Sequence, residues 1–319
     1  MKTVLVTGAG GFVGRALCKV LDQSGFPVRA ALRDGSSVSA GVVDRVVVGE
    51  ISAATNWDEA LSGVGWVIHA AARVHVLNDD PANVQAYLET NAYGTRRLAE
   101  AAARAGVSRF VFLSSVKVNG ERTSGRAFSA GDRPLPQDAY GESKRLGEHY
   151  LMEVAAAGSM DAVIVRPPLV YGPNVRANFL RLMNWVDAER PLPLGAVNNA
   201  RSLVNIWNLC DLLVLLLQHP NAARSTWMVS DGQDLSTPDL IRRIGVAMHR
   251  RVRLLPVPVP LLRLCGAVLG QRSRLERLCG SLTVDIEATR QQLGWIPPVS
   301  VDEALRRTAE WYFSGPPAA

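Results

Sequence analysis

Tyr140 and Lys144 stand four residues apart in Tyr140-Gly141-Glu142-Ser143-Lys144, so on a helix the phenol and the ammonium share a face. The chain holds only 4 Lys and 6 Tyr, which makes this pairing more telling than it would be in a lysine-rich protein. The chemistry it suits is hydride exchange at a carbinol carbon, whose oxygen must lose or gain a proton as the hydride moves. A phenol is a poor base at its ordinary pKa of about 10. A nearby ammonium, or the positive ring of an oxidised nicotinamide, favours the phenolate. Lys144 also has the reach to hydrogen-bond a nicotinamide ribose. A third group should orient the substrate oxygen, and Ser114-Ser115 closes an apolar run in a position to do so.

The second chemical signal is Gly8-Ala9-Gly10-Gly11-Phe12-Val13-Gly14. Gly8 permits a tight turn, Gly11 lets backbone amides approach a pyrophosphate, and Gly14 lets helix and strand pack closely. Three glycines at this spacing are a weak signal alone. Here they follow an apolar strand and open an amphipathic helix, which is the context a dinucleotide site requires. An NAD site usually has an acid at the end of the second strand for the ribose hydroxyls. In Ala31-Leu32-Arg33-Asp34 that place is Leu32, followed by Arg33. Arg33, helped by Arg15, suits a 2′-phosphate and inclines the cofactor towards NADP(H). Asp34, one or two places late, keeps NAD(H) open.

The elements that must position these residues follow a strand–helix rhythm. Continuous apolar strands are expected at 3–7, 28–32, 46–48, 66–71, 110–114 and 162–165. Helices are expected at 15–24, from 58, at 83–106 and at 138–157. The alternation implies an α/β fold with a doubly wound parallel (Rossmann) sheet, covered on both faces. After Arg166 prolines become dense and segments shorten. This predicts a smaller, discontinuous substrate lobe from 167–201 plus about 220–319, with the dinucleotide domain formed by 1–166 plus about 202–219. The strand 203–206 and the apolar helix 209–217 are expected to return to the main sheet. The stretch 254–269, with three prolines and Arg263, reads as loop and packed helix.

Bulk properties narrow the function classes. The 319 residues are 48% hydrophobic and 20% charged, ordinary for a globular protein. The net charge of +6 is carried mostly by Arg, without a basic stripe or interleaved aromatics, so nucleic acid is not an expected partner. The arginine excess suits a solvated surface or a phosphorylated small substrate. Cys18, Cys210, Cys265 and Cys279 make no C-x-x-C pair, and reduced cytoplasmic thiols fit best. No signal peptide and no membrane span are expected, and no histidine pair has metal-ligand spacing. His69 and His149 read as structural and His75 as mainly so. Trp207, Trp295 and Trp311 read as core, and Arg272, Arg274 and Arg277 as a solvated cluster or a nucleotide contact.

Thr7–Gly14, Ser115 and Tyr140-x-x-x-Lys144 together resemble the extended short-chain dehydrogenases/reductases, the NAD-dependent epimerase/dehydratase family. The likeness runs over nearly the whole chain and includes Asn91, Arg166-Pro167-Pro168-Leu169-Val170-Tyr171-Gly172-Pro173 and Leu293-Gly294-Trp295-Ile296-Pro297. In that family the serine or threonine four positions before the Tyr of a Val-Tyr-Gly motif is catalytic. Here the motif reads Val118-Asn119-Gly120, which selects Ser115. The resemblance implies cofactor contacts from Gly8, Gly10, Gly11, Phe12, Val13, Gly14, Arg33, Glu50, Ile51, Ala70, Ala71, Ala72, Tyr140, Lys144 and Pro167. It implies substrate contacts from Arg73, Lys117, Asn178, Leu194 and Arg201. Dehydratases carry Asp-Glu after the catalytic residue; Val116-Lys117 stand there instead, which argues against elimination of water. Leu169 replaces an Asn expected against a diphosphate.

The finer likeness, in 70–76 and 112–120, is to bacterial UDP-sugar 4-ketoreductases of surface-polysaccharide synthesis, such as those forming UDP-N-acetylquinovosamine. The resulting expectation is reduction of the C4 keto group of a UDP-linked hexulose by NAD(P)H, in the cytoplasm, with a homodimer left open. The rivals are a UDP-sugar 4-epimerase with tightly held NAD and a non-catalytic dinucleotide-sensing regulator. Such regulators typically lack the Tyr/Lys pair.

Overall fold

The computed structural model describes residues 2–35, 44–74, 81–268 and 272–315. The chain opens with β1 (Thr3–Thr7), α1 (Phe12–Gln23), β2 (Val28–Leu32), β3 (Asp44–Val47), α2 (Asp58–Leu61) and β4 (Val64–His69). A long helical segment follows as α3 (Pro81–Tyr87), a π-helical turn (Leu88–Tyr93) and α4 (Gly94–Arg104). Next come β5 (Arg109–Leu113), α5 (Ala139–Ala156) and β6 (Asp161–Arg166). Six of these strands and a later one form a seven-stranded sheet in the order β3-β2-β1-β4-β5-β6-β9, β9 being Ser225–Met228. Every pairing is parallel. The expected doubly wound sheet is therefore present.

The continuous apolar strands follow from a sheet covered on both faces. Val4 and Val6 point into a core shared with Leu17, Cys18 and Leu21 of α1, while Leu5 points into the opposite core with Leu98 and Ala102 of α4 and Leu151 of α5. Each such fully buried aliphatic side chain contributes about 1.5–3 kcal/mol. Gly25 and Gly106, both at positive φ, follow α1 and α4 and turn the chain out of the helix.

Two expectations about the second half are corrected. The strand at 203–206 does not enter the main sheet: β8 (Leu203–Asn205) pairs with β7 (Leu169–Tyr171) as a separate two-stranded sheet. The helix after it, α7 (Ile206–Gln218), packs on the main core, and Val204 of β8 reaches the same core. The strand that does return is β9, beside β6, although it lies in a stretch assigned to the lobe. A third core gathers α6 (Ala177–Asp187), α8 (Thr237–Met248) and α12 (Val301–Ser314) around Tyr171, Phe179, Ile241 and Leu305. The remaining helices are α9 (Val259–Val268), α10 (Arg272–Cys279) and α11 (Glu287–Leu293). In α9 Leu262 is buried but Leu261 and Leu264 are exposed, so it is less well packed than 254–269 suggests. No helix among the described residues is long and apolar enough to cross a membrane.

Candidate active site

Because the strands are parallel, β1, β4, β5 and β6 all leave the sheet at one edge, and the chain order reverses between β1 and β4. Crevices at such switch points bind ligands. The glycine turn follows β1, Ala70–Ala72 follow β4, Ser115 follows β5 and Pro167 follows β6. The main chain ties the last two together, with Val116 N–H donating to Pro167 O at 3.0 Å.

The turn is packed so that side chains beyond hydrogen do not fit. A Cβ on Gly14 would lie 2.1 Å from Gly8 O, and one on Gly8, at φ +67°, would lie 2.7 Å from the Ala71 backbone. Gly11 forms the N-cap of α1, and Phe12 and Val13 begin the helix. Arg15 Nε donates to Gly10 O at 2.8 Å, bracing the turn. Arg33 stands just beyond β2 with its side chain 71% exposed and 3.8 Å from Asp34.

Ser115 caps a short 3-10 turn over Val116–Val118, its hydroxyl accepting from Lys117 N–H at 3.2 Å. The two serines differ in their partners. Ser114 is buried and donates to Glu148 Oε1 at 2.5 Å, whereas Ser115 is the hydrogen-bonding neighbour of the Tyr140 phenol. Tyr140 lies in the first turn of α5, whose N-cap is Asp138. The Tyr87 ring meets it edge-on at 6.0 Å. Burial pushes the Tyr140 phenol above its ordinary value; the Ser115 hydrogen bond opposes this, and Asp138 and Tyr87 add to it.

Lys144 sits one turn along α5, 1% exposed, its Nζ 4.1 Å over the Phe112 ring. Among the described residues that Nζ has no hydrogen-bond partner. Burial lowers its pKa to about 7, against the pull of Glu148. A buried, unpartnered donor at this edge and a glycine cradle that a Cβ would fill both fit a dinucleotide, with its pyrophosphate at the turn and its ribose at Lys144.

The depressed lysine has a measurable consequence. Between about pH 7 and 10.5 the unfolded chain keeps a proton on Lys144 that the folded protein has released, so stability rises with pH across that window. Below pH 7 both states are charged and the burial penalty is felt in full. Denaturant titrations of protein stripped of dinucleotide should show this rise, and Lys144→Met should flatten it. Equal slopes in the two proteins would refute the assignment.

A chain of hydrogen bonds beneath the site joins its elements. Thr95 Oγ1 donates to Asn91 O at 2.8 Å, so it accepts from His69 Nε2 at 3.0 Å. His69 Nδ1 then accepts from Thr7 Oγ1 at 2.6 Å. Burial, followed by the Lys144 charge, holds this imidazole neutral, with a pKa of about 3. Asn91, inside the π-helical turn, receives from its Nδ2 two further links, donating to Ser143 Oγ at 3.0 Å and Arg73 O at 3.1 Å, and accepts from Arg73 N–H at 2.8 Å. Ser143 in turn donates to Tyr140 O at 2.8 Å. The extra residue of the π turn sets Asn91 where all of these can meet, as such bulges do near functional sites.

The other expected residues are dispersed. Ile51 packs where a Cβ on Gly94 would lie 2.5 Å from its Cγ2, and Glu50 is exposed, its carbonyl accepting from Thr55. Asn178 is exposed on α6, and Leu194 is buried in the lobe core. Arg201 bridges Leu235 and Leu282 and donates to Gly280 O at 3.1 Å; burial lowers its pKa while Glu121 opposes that. Arg73 is exposed. Lys117 is held by Glu121 and Asp138. His75 and the side chains of Arg272, Arg274 and Arg277 lie outside the described residues. No motif marked Glu148, which takes Ser114 and Arg166, or Asp138, which caps α5 and pairs with Lys117, since these side-chain partners are distant in sequence.

Comparison with known proteins agrees with this geometry. The model of the "NAD dependent epimerase/dehydratase family" matches residues 4–229. A protein of Vibrio cholerae, "UDP-glucose 4-epimerase", is 42% identical over 313 residues, covering 97% of this chain and 95% of its own. The "N-acetyl-alpha-D-glucosaminyl-diphospho-ditrans,octacis-undecaprenol 4-epimerase" of Escherichia coli O157:H7 is 25% identical, covering 97% and 95%. The fold of a UDP-glucuronic acid 4-epimerase from Bacillus cereus, solved in complex with NAD, superposes with a TM-score of 0.78 at 22% identity, over 98% of this chain and 99% of that one. With the cradle, the Ser115–Tyr140–Lys144 group and a match across most of its length, this chain belongs to the NAD-dependent epimerase/dehydratase family.

Proposed function

We propose that the protein interconverts UDP-linked hexoses at C4, a 4-epimerase with retained NAD. The observation that carries this reading is the Ser115–Tyr140–Lys144 group with its buried, unpartnered lysine, taken with 42% identity to a UDP-glucose 4-epimerase over nearly the full length. When bound, the nicotinamide supplies reversible hydride exchange with C4. Tyr140 takes the proton of the C4 hydroxyl as that carbon is oxidised, and returns it to the oxygen on reduction. Ser115, beside the phenol, donates to the same oxygen. Lys144 meets the ribose hydroxyls and, when charged, favours the phenolate. Gly8–Gly14 receive the pyrophosphate, and Glu50, Ile51, Ala70–Ala72 and Pro167 line the remaining path. Val116, in the place of a dehydratase acid, supports no elimination.

A second reading, the UDP-sugar 4-ketoreductase, is favoured by one observation: exposed Arg33 where a 2′-phosphate would sit, which suits a dissociable NADPH. One experiment separates the two. Purified protein is incubated with UDP-glucose, and separately with a UDP-4-keto-6-deoxy sugar and NADPH. The epimerase reading expects UDP-galactose without net change at the nicotinamide band. Stoichiometric loss of NADPH with the keto sugar, abolished by Arg33→Ala and absent with NADH, would replace it with the reductase.

A further inference from the structure

Lys117 reaches the catalytic pair by three routes. Its N–H donates to Ser115 Oγ at 3.2 Å. Its carbonyl lies against the first turn of α5, where a Cβ on Gly141 would approach within 2.8 Å of it. Its ammonium, only 28% exposed, binds Glu121 Oε1 at 2.6 Å and makes a short contact with Asp138 Oδ2. The other oxygen of Asp138 accepts from Gly141 N–H at 2.7 Å, capping the helix that carries Tyr140. One side chain therefore fastens the serine turn to the start of the tyrosine helix and neutralises a carboxylate two residues before the phenol.

We propose that Lys117, through its ion pair with Asp138, is a positioning residue that sets the acidity of Tyr140 and the placement of Ser115 against it. The proposal rests on the proton-transfer role given to Tyr140 above. The groups facing the phenol are Asp138 at its own cap, Ser115 from the 3-10 turn and Tyr87 from α3, and Lys144 lies one turn along the same helix. Behind Lys144 stand Glu148 and His69. Behind Asp138 stand Lys117 and Glu121, and Glu121 acts on Arg201. Of these, Asp138 is the negative charge nearest in sequence, and it disfavours the phenolate. Its pairing with Lys117 offsets that repulsion. Because the ammonium is engaged by two carboxylates, Lys117 serves proton transfer in this scheme rather than the substrate phosphate.

The charges predict opposite displacements for the two partners. Lys117→Met leaves Asp138 unneutralised and moves the ionisation of Tyr140 to higher pH by about one unit. Asp138→Asn keeps a capping oxygen, removes the charge and moves it to lower pH. Lys117→Arg restores the parent value, and the double variant returns towards it. The readout is the tyrosinate ultraviolet band of the NAD-loaded enzyme, taken as the difference from Tyr140→Phe, alongside the pH profile of kcat. Thermal midpoints and nucleotide-sugar KM serve as controls for a merely structural role, which would lower activity in both variants without opposite shifts. Displacements of the same sign, or none, overturn the proposal. The absorbance titration needs no sugar substrate, so failure to turn over UDP-hexoses would count against the epimerase reading alone. A parent enzyme in which Tyr140 does not ionise would overturn both.

Discussion

Tyr140→Phe should lower kcat for C4 chemistry by about one hundred- to ten-thousand-fold, the range that general acid–base groups supply. The substitution removes one oxygen and leaves the ring, so the edge-on packing with Tyr87 survives. Asp138 still caps the helix, and Lys144 keeps its place over Phe112. The loss should therefore fall on kcat, with KM for the nucleotide sugar, dinucleotide content and thermal midpoint little changed. Ser115 cannot compensate, since an unactivated aliphatic hydroxyl is too weak a base to hold the proton between the two half-reactions. A variant retaining kcat within about threefold of the parent would remove Tyr140 from the proton path altogether.

The largest effect on stability should come from Glu148→Ala. Glu148 lies one turn beyond Lys144 and takes Arg166 in a bidentate pair, Nη2–Oε2 at 2.6 Å and Nε–Oε1 at 2.9 Å, with both residues buried. Ser114 donates to the same carboxylate, and Arg166 Nη1 also donates to Asn119 Oδ1 at 3.1 Å. Truncation would leave a guanidinium in the interior with one weak partner, a loss of about 3–5 kcal/mol. Urea unfolding measures it. Replacing both partners, as Glu148→Leu with Arg166→Met, should recover much of the loss, because the penalty belongs to the stranded charge. A single-variant loss below about 1 kcal/mol would mean that water reaches the pair. Lys144 would also lose a charge that favours its protonated form, lowering its pKa further.

The parts of this molecule readable from sequence are those fixed by local chemistry. The glycine turn could be placed because Gly8 and Gly14 sit where any side chain strikes backbone within a few residues or the adjoining strand. Tyr140 and Lys144 could be paired because helical spacing alone puts them on one face. What escaped depends on distance in the chain. Ser115 could be chosen over Ser114 only through the likeness to a family motif, because the bond that occupies Ser114 comes from Glu148, far along the chain. Lys117 was expected against the substrate because its partner Asp138 is 21 positions away. The π turn at Leu88–Tyr93 adds one residue without disturbing the apolar pattern, so 83–106 read as a single regular helix. Ser225–Met228 is too short and too mixed to announce a strand, while Leu203–Asn205, more apolar, pairs elsewhere.

The late arrival of β9 bears on how the chain is made. Until Ser225–Met228 emerges, β6 has no neighbour on its outer side, and its unpaired N–H and C=O groups can accept any strand. About sixty residues separate the two strands, which at ribosomal speeds of about 5–20 residues per second leaves that edge open for some 3–12 seconds. During that interval the nascent protein depends on α7 packing early against the sheet, or on a chaperone, to avoid pairing with its neighbours on the polysome. Shortened products ending before residue 225 would keep the open edge permanently and should collect in the insoluble fraction.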